Sequence, residues 1–119
     1  MKLHLAIAVV LLLAVLRAAH GDESRYVAGT GDVPLMAGLV ENSAAALIYD
    51  KPEGRIVDAE ASGEVAADDV AAFYRTTLAQ LGWEPTGDDL VFVREGERLS
   101  IGIREEQGST VVRFALEPR

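Results

Sequence analysis

The spacing of hydrophobic and polar positions changes several times along the chain, and each change predicts a new element. Residues 45–50, AALIYD, form a short apolar run with an isoleucine and a tyrosine, which is typical of a β-strand. Residues 56–65 alternate between apolar and polar side chains, which predicts a second strand with one face in water. Because the turn sequence DKPEGR joins these segments, the two strands are expected to form a hairpin.

The segment that follows has a helical period. Its first turn contains Asp68 and Asp69, where free N–H groups and the positive end of the helix dipole favour carboxylates. Gly82 and Pro85 are typical of a helix end, and Trp83 is expected to fold back against the last turn. The positions i, i+3, i+4, i+7, i+8 and i+11 predict one buried face, formed by Val70, Phe73, Tyr74, Thr77, Leu78 and Leu81.

A period of two returns after the turn TGDD. Residues 90–94, 98–105 and 110–117 are predicted strands, and the short turns between them favour an antiparallel meander. The predicted order is therefore two strands, one helix and a three-stranded meander. The simplest fold for this order is α+β, with a single antiparallel sheet and the helix packed on one face.

The N-terminal residues have the features of an export signal. Lys2 precedes the apolar run LAIAVVLLLAVL, which is too short to span a bilayer but suits the core of a signal peptide. The small residues Ala19 and Gly21 predict cleavage before Asp22. Residues 1–21 are thus a predicted signal peptide and the protein is predicted to be periplasmic or secreted. The alternative is an uncleaved N-terminal anchor.

The rest of the chain is predicted to be one domain preceded by an arm. Residues 22–31 are polar and glycine-rich, which predicts a flexible N-terminal arm, and residues 32–119 are predicted to form a single α+β domain. At the start of that domain Pro34 blocks regular strand pairing. Four apolar side chains nearby call for burial, so this part is expected to lie irregularly across an apolar surface: Leu35, Met36, Leu39 and Val40.

Composition narrows the chemistry. The chain has no cysteine, and both histidines, His4 and His20, lie in the predicted signal peptide. The predicted mature chain therefore lacks the usual general base, the Ser–His and Cys–His pairs, and the common zinc and copper ligands, so no metal or cofactor is expected. Without Lys2 and Arg17 it contains 9 basic and 19 acidic residues, a formal charge of −10. Such a charge disfavours nucleic acid and anionic membranes as partners.

The helix and the strands after it resemble a module of small exported bacterial α+β proteins, most of which are uncharacterised. The resemblance rests on the pattern V-x-x-F-Y-x-x-x-L-x-x-x-G-W, which runs from Val70 to Trp83, and on the meander that follows it. It covers residues 32–118. It implies a helix packed on a curved antiparallel sheet, with Gly82 and Trp83 closing the helix, and it implies no catalytic residue.

Two pairs of neighbouring carboxylates are the first candidates for chemistry. Asp68–Asp69 and Asp88–Asp89 could serve a glycosidase or a calcium site. Neighbours in sequence rarely face each other across a sugar bond, and the calcium-loop pattern is absent. Helix-start and turn chemistry is the favoured interpretation of both pairs.

The other candidates have structural interpretations as well. Tyr74 and Trp83 could stack on a flat ligand, but their spacing favours core and cap positions, and Tyr49 is expected to be half-buried. Ser62, Ser100 and Thr110 lack a histidine base, and Lys51 lies in a turn. Four arginines of the last strands could bind anions, although neighbouring acids favour ion pairs: Arg94, Arg98, Arg104 and Arg113.

These observations favour a non-enzymatic exported protein that binds a protein partner through a sheet face or an exposed edge strand. The alternative is a hydrolase that uses only carboxylates on a sugar or cell-wall substrate. A small-ligand carrier is a third hypothesis, disfavoured because the apolar residues are needed for the core. No residue is assigned a catalytic, cofactor-binding or metal-binding role.

Overall fold

The computed structural model describes residues 25–119, and the predicted signal peptide, residues 1–21, lies outside them together with residues 22–24. The described chain contains one antiparallel sheet and a single α-helix, so the predicted α+β class is confirmed. The elements are β1 (Val40–Glu41), β2 (Leu47–Lys51), β3 (Gly54–Gly63), α1 (Ala67–Gln80), β4 (Glu84–Pro85), β5 (Val91–Arg94), β6 (Glu97–Glu106) and β7 (Ser109–Pro118).

The sheet has seven strands in the described residues, in the order β1-β3-β7-β6-β5-β4, with β2 also paired to β3. The predicted count of five strands is wrong because β1 and β4 have two residues each, and two residues carry no detectable period. Pro85, predicted to mark the helix end, lies in β4, the last strand of the sheet, where a missing N–H is tolerated. Strands β1 and β2 share one edge of β3, separated by a 3₁₀ turn at Ser43–Ala45.

The predicted alternation sets which side of each strand is buried. In β3 the small side chains of Ala59 and Ala61 follow Val57 on the buried face. Strands β6 and β7 bury Leu99, Ile101, Val112, Phe114 and Leu116 against the same core. Helix α1 covers part of this face, and the opposite face of the sheet is open to solvent.

Helix α1 buries a narrower stripe than its sequence predicts. Val70, Tyr74 and Leu78, at i, i+4 and i+8, are fully buried. Phe73 and Thr77 flank this stripe and are half-buried, and Leu81 is 38% exposed because it follows the last helical turn. The backbone N–H of Trp83 donates to the Leu78 carbonyl at 2.9 Å, and the indole ring is buried beside the helix end.

The segment at residues 25–39, called here the N-terminal strap, differs from the predicted flexible arm. Val27 and Thr30 are fully buried, and the Val27 N–H donates to the Val33 carbonyl at 2.8 Å. Leu39 is also buried, whereas Val40, which was expected to be buried, is 73% exposed. The strap lies beside α1 on the covered face of the sheet, so two pieces of chain roof one core.

Tyr74 joins the two pieces of this roof. Its hydroxyl donates to the Pro34 carbonyl at 2.8 Å and accepts from the Met36 N–H at 3.2 Å. Burial raises the pKa of Tyr74 to about 12, so the hydroxyl remains a neutral donor at physiological pH. Helix and strap are therefore held together by a side chain that lies fully inside the core.

Candidate functional site

Strand β2 is the most unusual surface of the described chain. It is paired to β3 on one side and has no strand on its outer side among residues 25–119. Three consecutive apolar residues on it are exposed: Leu47 by 54%, Ile48 by 50% and Tyr49 by 41%. We call the whole of strand β2, residues 47–51, the β2 edge.

The register with β3 places these side chains on both faces of the sheet. Leu47 lies opposite Asp58 and Tyr49 opposite Ile56, on the open face. Ile48 lies opposite the buried Val57, on the roofed face, where its side chain packs directly over Gly29 of the strap. The apolar surface therefore continues around the edge from one face to the other.

The backbone of this strand is equally available. Lys51 lies opposite Gly54 across a two-residue loop, so these two residues form the hydrogen-bonded pair that closes the hairpin. Pairs along an antiparallel ladder alternate, so Ile48 and Asp50 direct their N–H and C=O groups away from β3. An extended segment placed alongside β2 would find those groups ready to pair.

The opposite edge of the sheet is protected. Strand β4 has two residues, and they are an acid and a proline, Glu84–Pro85. Short length, charge and proline are the usual devices that prevent edge strands from pairing. In the β2 edge charge is confined to Asp50 and Lys51 at one end, and the Lys51 ammonium lies 5.8 Å from the centre of the Tyr49 ring.

Sequence reasoning predicted this strand but not its position. The run AALIYD predicts a strand with Tyr49 half-buried, whereas the Tyr49 side chain is 41% exposed on the rim of the sheet. The letters do not reveal the edge position, because an apolar run without alternation is typical of a strand buried on both faces.

The four candidate arginines form ion pairs. On the open face Arg98 meets Glu117, Arg104 meets Glu60 and Glu106, and Arg113 binds Asp58 through two hydrogen bonds. The hydrogen bond from Arg113 lowers the pKa of Asp58. This geometry matches the ion-pair interpretation over the anion-binding one, although most partners come from distant strands rather than from neighbouring residues.

Arg94 lies on the other side of the sheet and fastens the strap. Its guanidinium donates to both carboxylate oxygens of Asp32, at 2.8 and 3.0 Å, and to the Leu81 carbonyl at 3.0 Å. It also stacks on Trp83, with 4.3 Å between the guanidinium carbon and the ring centre. Trp83 is 2% exposed and Tyr74 is fully buried, so neither presents a stacking platform to a ligand.

A second pair fastens the same strap from the β3 side. Arg55 binds Glu97 at 2.8 and 3.0 Å and donates to the Gly29 carbonyl at 3.0 Å. Two arginines thus hold the strap to the strands at one end of the sheet.

The Asp32–Arg94 pair predicts a dependence of stability on pH. Its hydrogen bond lowers the pKa of Asp32, against a smaller opposing effect of burial. A carboxylate with a lower pKa in the folded chain stabilises the fold above its unfolded pKa, about 3.9, and loses that contribution as the pH falls further. We expect Asp32→Asn to lower the free energy of unfolding at pH 7 by up to about 1 kcal/mol. The free energy of unfolding of this variant should also fall less steeply as the pH drops below about 4. Urea unfolding at a series of pH values measures both effects.

The control for this change is Asp88→Asn, which removes an exposed carboxylate from a turn. An equal loss in both variants at pH 7 would contradict a specific role of the Asp32–Arg94 pair.

The carboxylate pairs lie at the helix start and in the turn where the sequence predicts them. Asp68 and Asp69 lie in the first turn of α1, and Asp88 and Asp89 lie in the turn before β5. Asp68 and Asp89 line one shallow surface depression of about 410 Å³, but Arg75 lines it too and binds Asp89 at 2.6 Å. All four carboxylates are exposed, so none has the apolar enclosure that prepares a carboxyl group for acid catalysis.

The hydroxyl candidates do not meet a base. Thr110 is buried and its hydroxyl donates to the Val65 carbonyl. Ser62 and Ser100 are half-buried on the open face, in register with Val111 and Ala115. Lys51 is exposed at the hairpin end. In residues 25–119 no three acidic, histidine or cysteine side chains are grouped as metal ligands.

Comparison with known proteins gives no match, so the function is inferred from the residues of this chain. The chain matches no protein-family model, no curated protein and no solved structure. The resemblance to small exported α+β proteins stays a prediction. Within the described part of the chain, no helix combines the length and apolarity needed to cross a membrane.

Proposed function

We propose that this protein is a non-enzymatic binding or accessory domain of the periplasm or the secreted fraction, and that it binds by accepting an extended segment alongside β2. The observation that carries the proposal is the exposure of Leu47, Ile48 and Tyr49 on a strand whose outer side has no partner strand in residues 25–119. Strand addition uses backbone hydrogen bonds for affinity and alternate side chains for specificity, and the β2 edge supplies both.

The surrounding charges disfavour nucleic acid and anionic lipid as partners. Residues 25–119 contain 9 Lys and Arg and 17 Asp and Glu, a formal charge of −8. The open-face arginines Arg98, Arg104 and Arg113 each pair with an acid, so they do not add up to a positive patch. Nucleic acid and anionic lipid would both meet repulsion here.

Site-specific crosslinking tests this proposal. A photo-reactive amino acid at position 47 or 49 should give crosslinked products when the protein is irradiated in its own compartment, because both positions lie on the proposed contact. The same group at Gln80, an exposed helix position, is the control. We expect Ile48→Lys to reduce the crosslinks from position 47 by more than tenfold, because it places a charge in the apolar centre of the edge.

Circular dichroism of Ile48→Lys separates loss of contact from loss of fold. Crosslinks from position 47 that equal those from position 80, or that survive Ile48→Lys in a folded protein, would rule out the β2 edge as the binding surface. A hydrolytic activity on cell-wall sugars that disappears with Asp89→Asn, while the fold is kept, would favour the carboxylate hydrolase instead.

A further inference from the structure

The composition of the β2 edge also bears on what pairs with it. Three consecutive residues of this edge are apolar and uncharged: Leu47, Ile48 and Tyr49. A matching antiparallel segment is itself apolar at three consecutive positions and has backbone N–H and C=O groups that are not already paired. The same strand on another molecule meets both requirements, and a two-fold axis brings one patch against itself.

The faces of the sheet restrict how two copies can pair. Odd-numbered residues of β2 lie on the open face and even-numbered residues on the roofed face. Residues directly opposite each other in a continuous antiparallel sheet share a face, so odd must oppose odd and even must oppose even. Two central registers satisfy this rule, one centred on Ile48 and one on Tyr49.

Side-chain chemistry separates the two registers. When Tyr49 lies on the axis, Ile48 faces Asp50 of the second copy and Leu47 faces Lys51 of the second copy, so charges oppose apolar groups. When Ile48 lies on the axis, it faces its own counterpart and Leu47 faces Tyr49 of the second copy. The Ile48-centred register therefore leaves every central pair apolar and places Ile48 with its outward backbone groups at the axis.

This register also joins the two cores. On the roofed face it forms a row from the buried Val57 through Ile48 to Ile48 and Val57 of the second copy. On the open face Tyr49, already beside Ile56, gains Leu47 of the second copy as its other neighbour. Each of the three exposed side chains thereby gains an apolar neighbour on the side that has no partner strand in residues 25–119.

We propose that the partner of the β2 edge is a second copy of this chain, paired antiparallel about Ile48 into one continuous sheet. This inference rests on the proposed function of the edge and specifies its partner. A contact of one short strand is small beside the roughly 1,200–2,000 Å² of a standard interface, so the dimer exchanges with monomer.

The negative charge of each copy makes the affinity of the dimer depend on the salt concentration. Each copy carries a formal charge of −8 in residues 25–119, so the copies repel at low ionic strength. Added salt screens this repulsion, with a Debye length of about 10 Å at 0.1 M. Sedimentation equilibrium of the full protein, as its host processes it, should show dimerisation that tightens several-fold between about 0.02 and 0.3 M NaCl, and Ile48→Lys should stay monomeric.

Cysteine crosslinking tests the register, because the natural chain has no cysteine. A mixture of Leu47→Cys and Tyr49→Cys should oxidise to a mixed disulfide dimer, since these positions form a directly opposed pair without backbone bonds, whose Cα atoms lie about 4.5 Å apart. Each variant alone, and Gln80→Cys, should oxidise several-fold less.

Each outcome decides the proposal. A protein that stays monomeric at every concentration and salt overturns it, and so does Tyr49→Cys that crosslinks best to itself, which is the signature of the other register. Self-association that weakens with added salt also overturns it, because opposite charges and not the apolar residues of the β2 edge would then hold the copies together. If the photo-crosslinks from position 47 then join a different protein, the second copy is excluded while strand addition at β2 stands.

Discussion

Replacement of Tyr74 by alanine should lower the free energy of unfolding by about 3–5 kcal/mol, the usual cost of truncating a fully buried aromatic residue. The ring is fully buried and contacts Phe114 edge-on, with 5.3 Å between ring centres. The hydroxyl holds the Pro34 carbonyl and the Met36 N–H of the strap. Because small domains are stable by about 5–15 kcal/mol, this one change removes a large share of the total.

Urea unfolding, followed by the fluorescence of Trp83, measures this effect. Tyr74→Phe keeps the ring and removes the hydroxyl, so it should cost about 1–3 kcal/mol by leaving two partly buried backbone groups without their partner. Phe73→Ala should cost less than Tyr74→Ala because Phe73 is only half-buried. Gln80→Ala, at an exposed position of the same helix, should change stability by less than about 0.5 kcal/mol. A larger loss for Phe73→Ala than for Tyr74→Ala would show that the buried stripe is assigned to the wrong side.

The same hydroxyl predicts a loss of stability in alkali. The pKa of Tyr74 is raised to about 12 in the folded chain by burial, whereas an unfolded tyrosine titrates near 10. The folded state therefore holds its proton where the unfolded state releases it, and stability falls as the pH rises above about 10. This dependence should be weaker in Tyr74→Phe, which distinguishes loss of the phenol from general denaturation.

Helix α1 and the β2–β3 hairpin are predictable from sequence because their signals are local. The stripe around Tyr74 has the helical period, and residues 56–63 have the period of a strand. The strap is not predictable in this way. Val27 lies between Tyr26 and Ala28 in an otherwise polar, glycine-rich stretch, and its burial depends on strands and a helix that follow it in the chain.

The position of the candidate site likewise depends on contacts between residues that are far apart in the sequence. The letters of β2 predict a strand, but its place at the edge follows from the pairing of β3 with β7, which are about fifty residues apart. That pairing also decides the ion pairs, because it brings Asp58 beside Arg113. The acids that lie near these arginines in the sequence correctly predict ion pairs. Most of the acids that the arginines bind in the structure are nevertheless different ones.

One residue of β3 shows how the strap fits the sheet. Gly63 continues the row of small side chains formed by Ala59 and Ala61, and the strap crosses the strand at that point. A Cβ atom built on Gly63 would lie 1.9 Å from the Gly38 carbonyl oxygen and 2.9 Å from its carbon. The backbones of β3 and the strap are therefore in direct contact, and only glycine leaves enough room.

We expect Gly63→Ala to lower the free energy of unfolding by about 3 kcal/mol or more, the upper end of the cost of overpacking, because the clash is with backbone and no side chain can rotate away. Gly63 does not have a positive φ, so the effect comes from space and not from backbone strain. Urea unfolding measures the change, and amide hydrogen exchange at Val27 and Val33 reports whether the strap separates from the sheet.

Gly102→Ala is the matched control for this prediction. Gly102 is also a strand glycine without a positive φ, but a Cβ atom there would meet nothing within 4 Å. Alanine should leave stability unchanged or raise it by up to about 1 kcal/mol, since glycine weakens a strand. If the two variants unfold alike, the strap does not rest on β3. Gly63→Ala could also detach the strap while the β2–β3 hairpin stays folded. Ile48 would then lose its contact with Gly29, and the photo-crosslinks from position 47 should change. Gly102→Ala should leave those crosslinks unchanged.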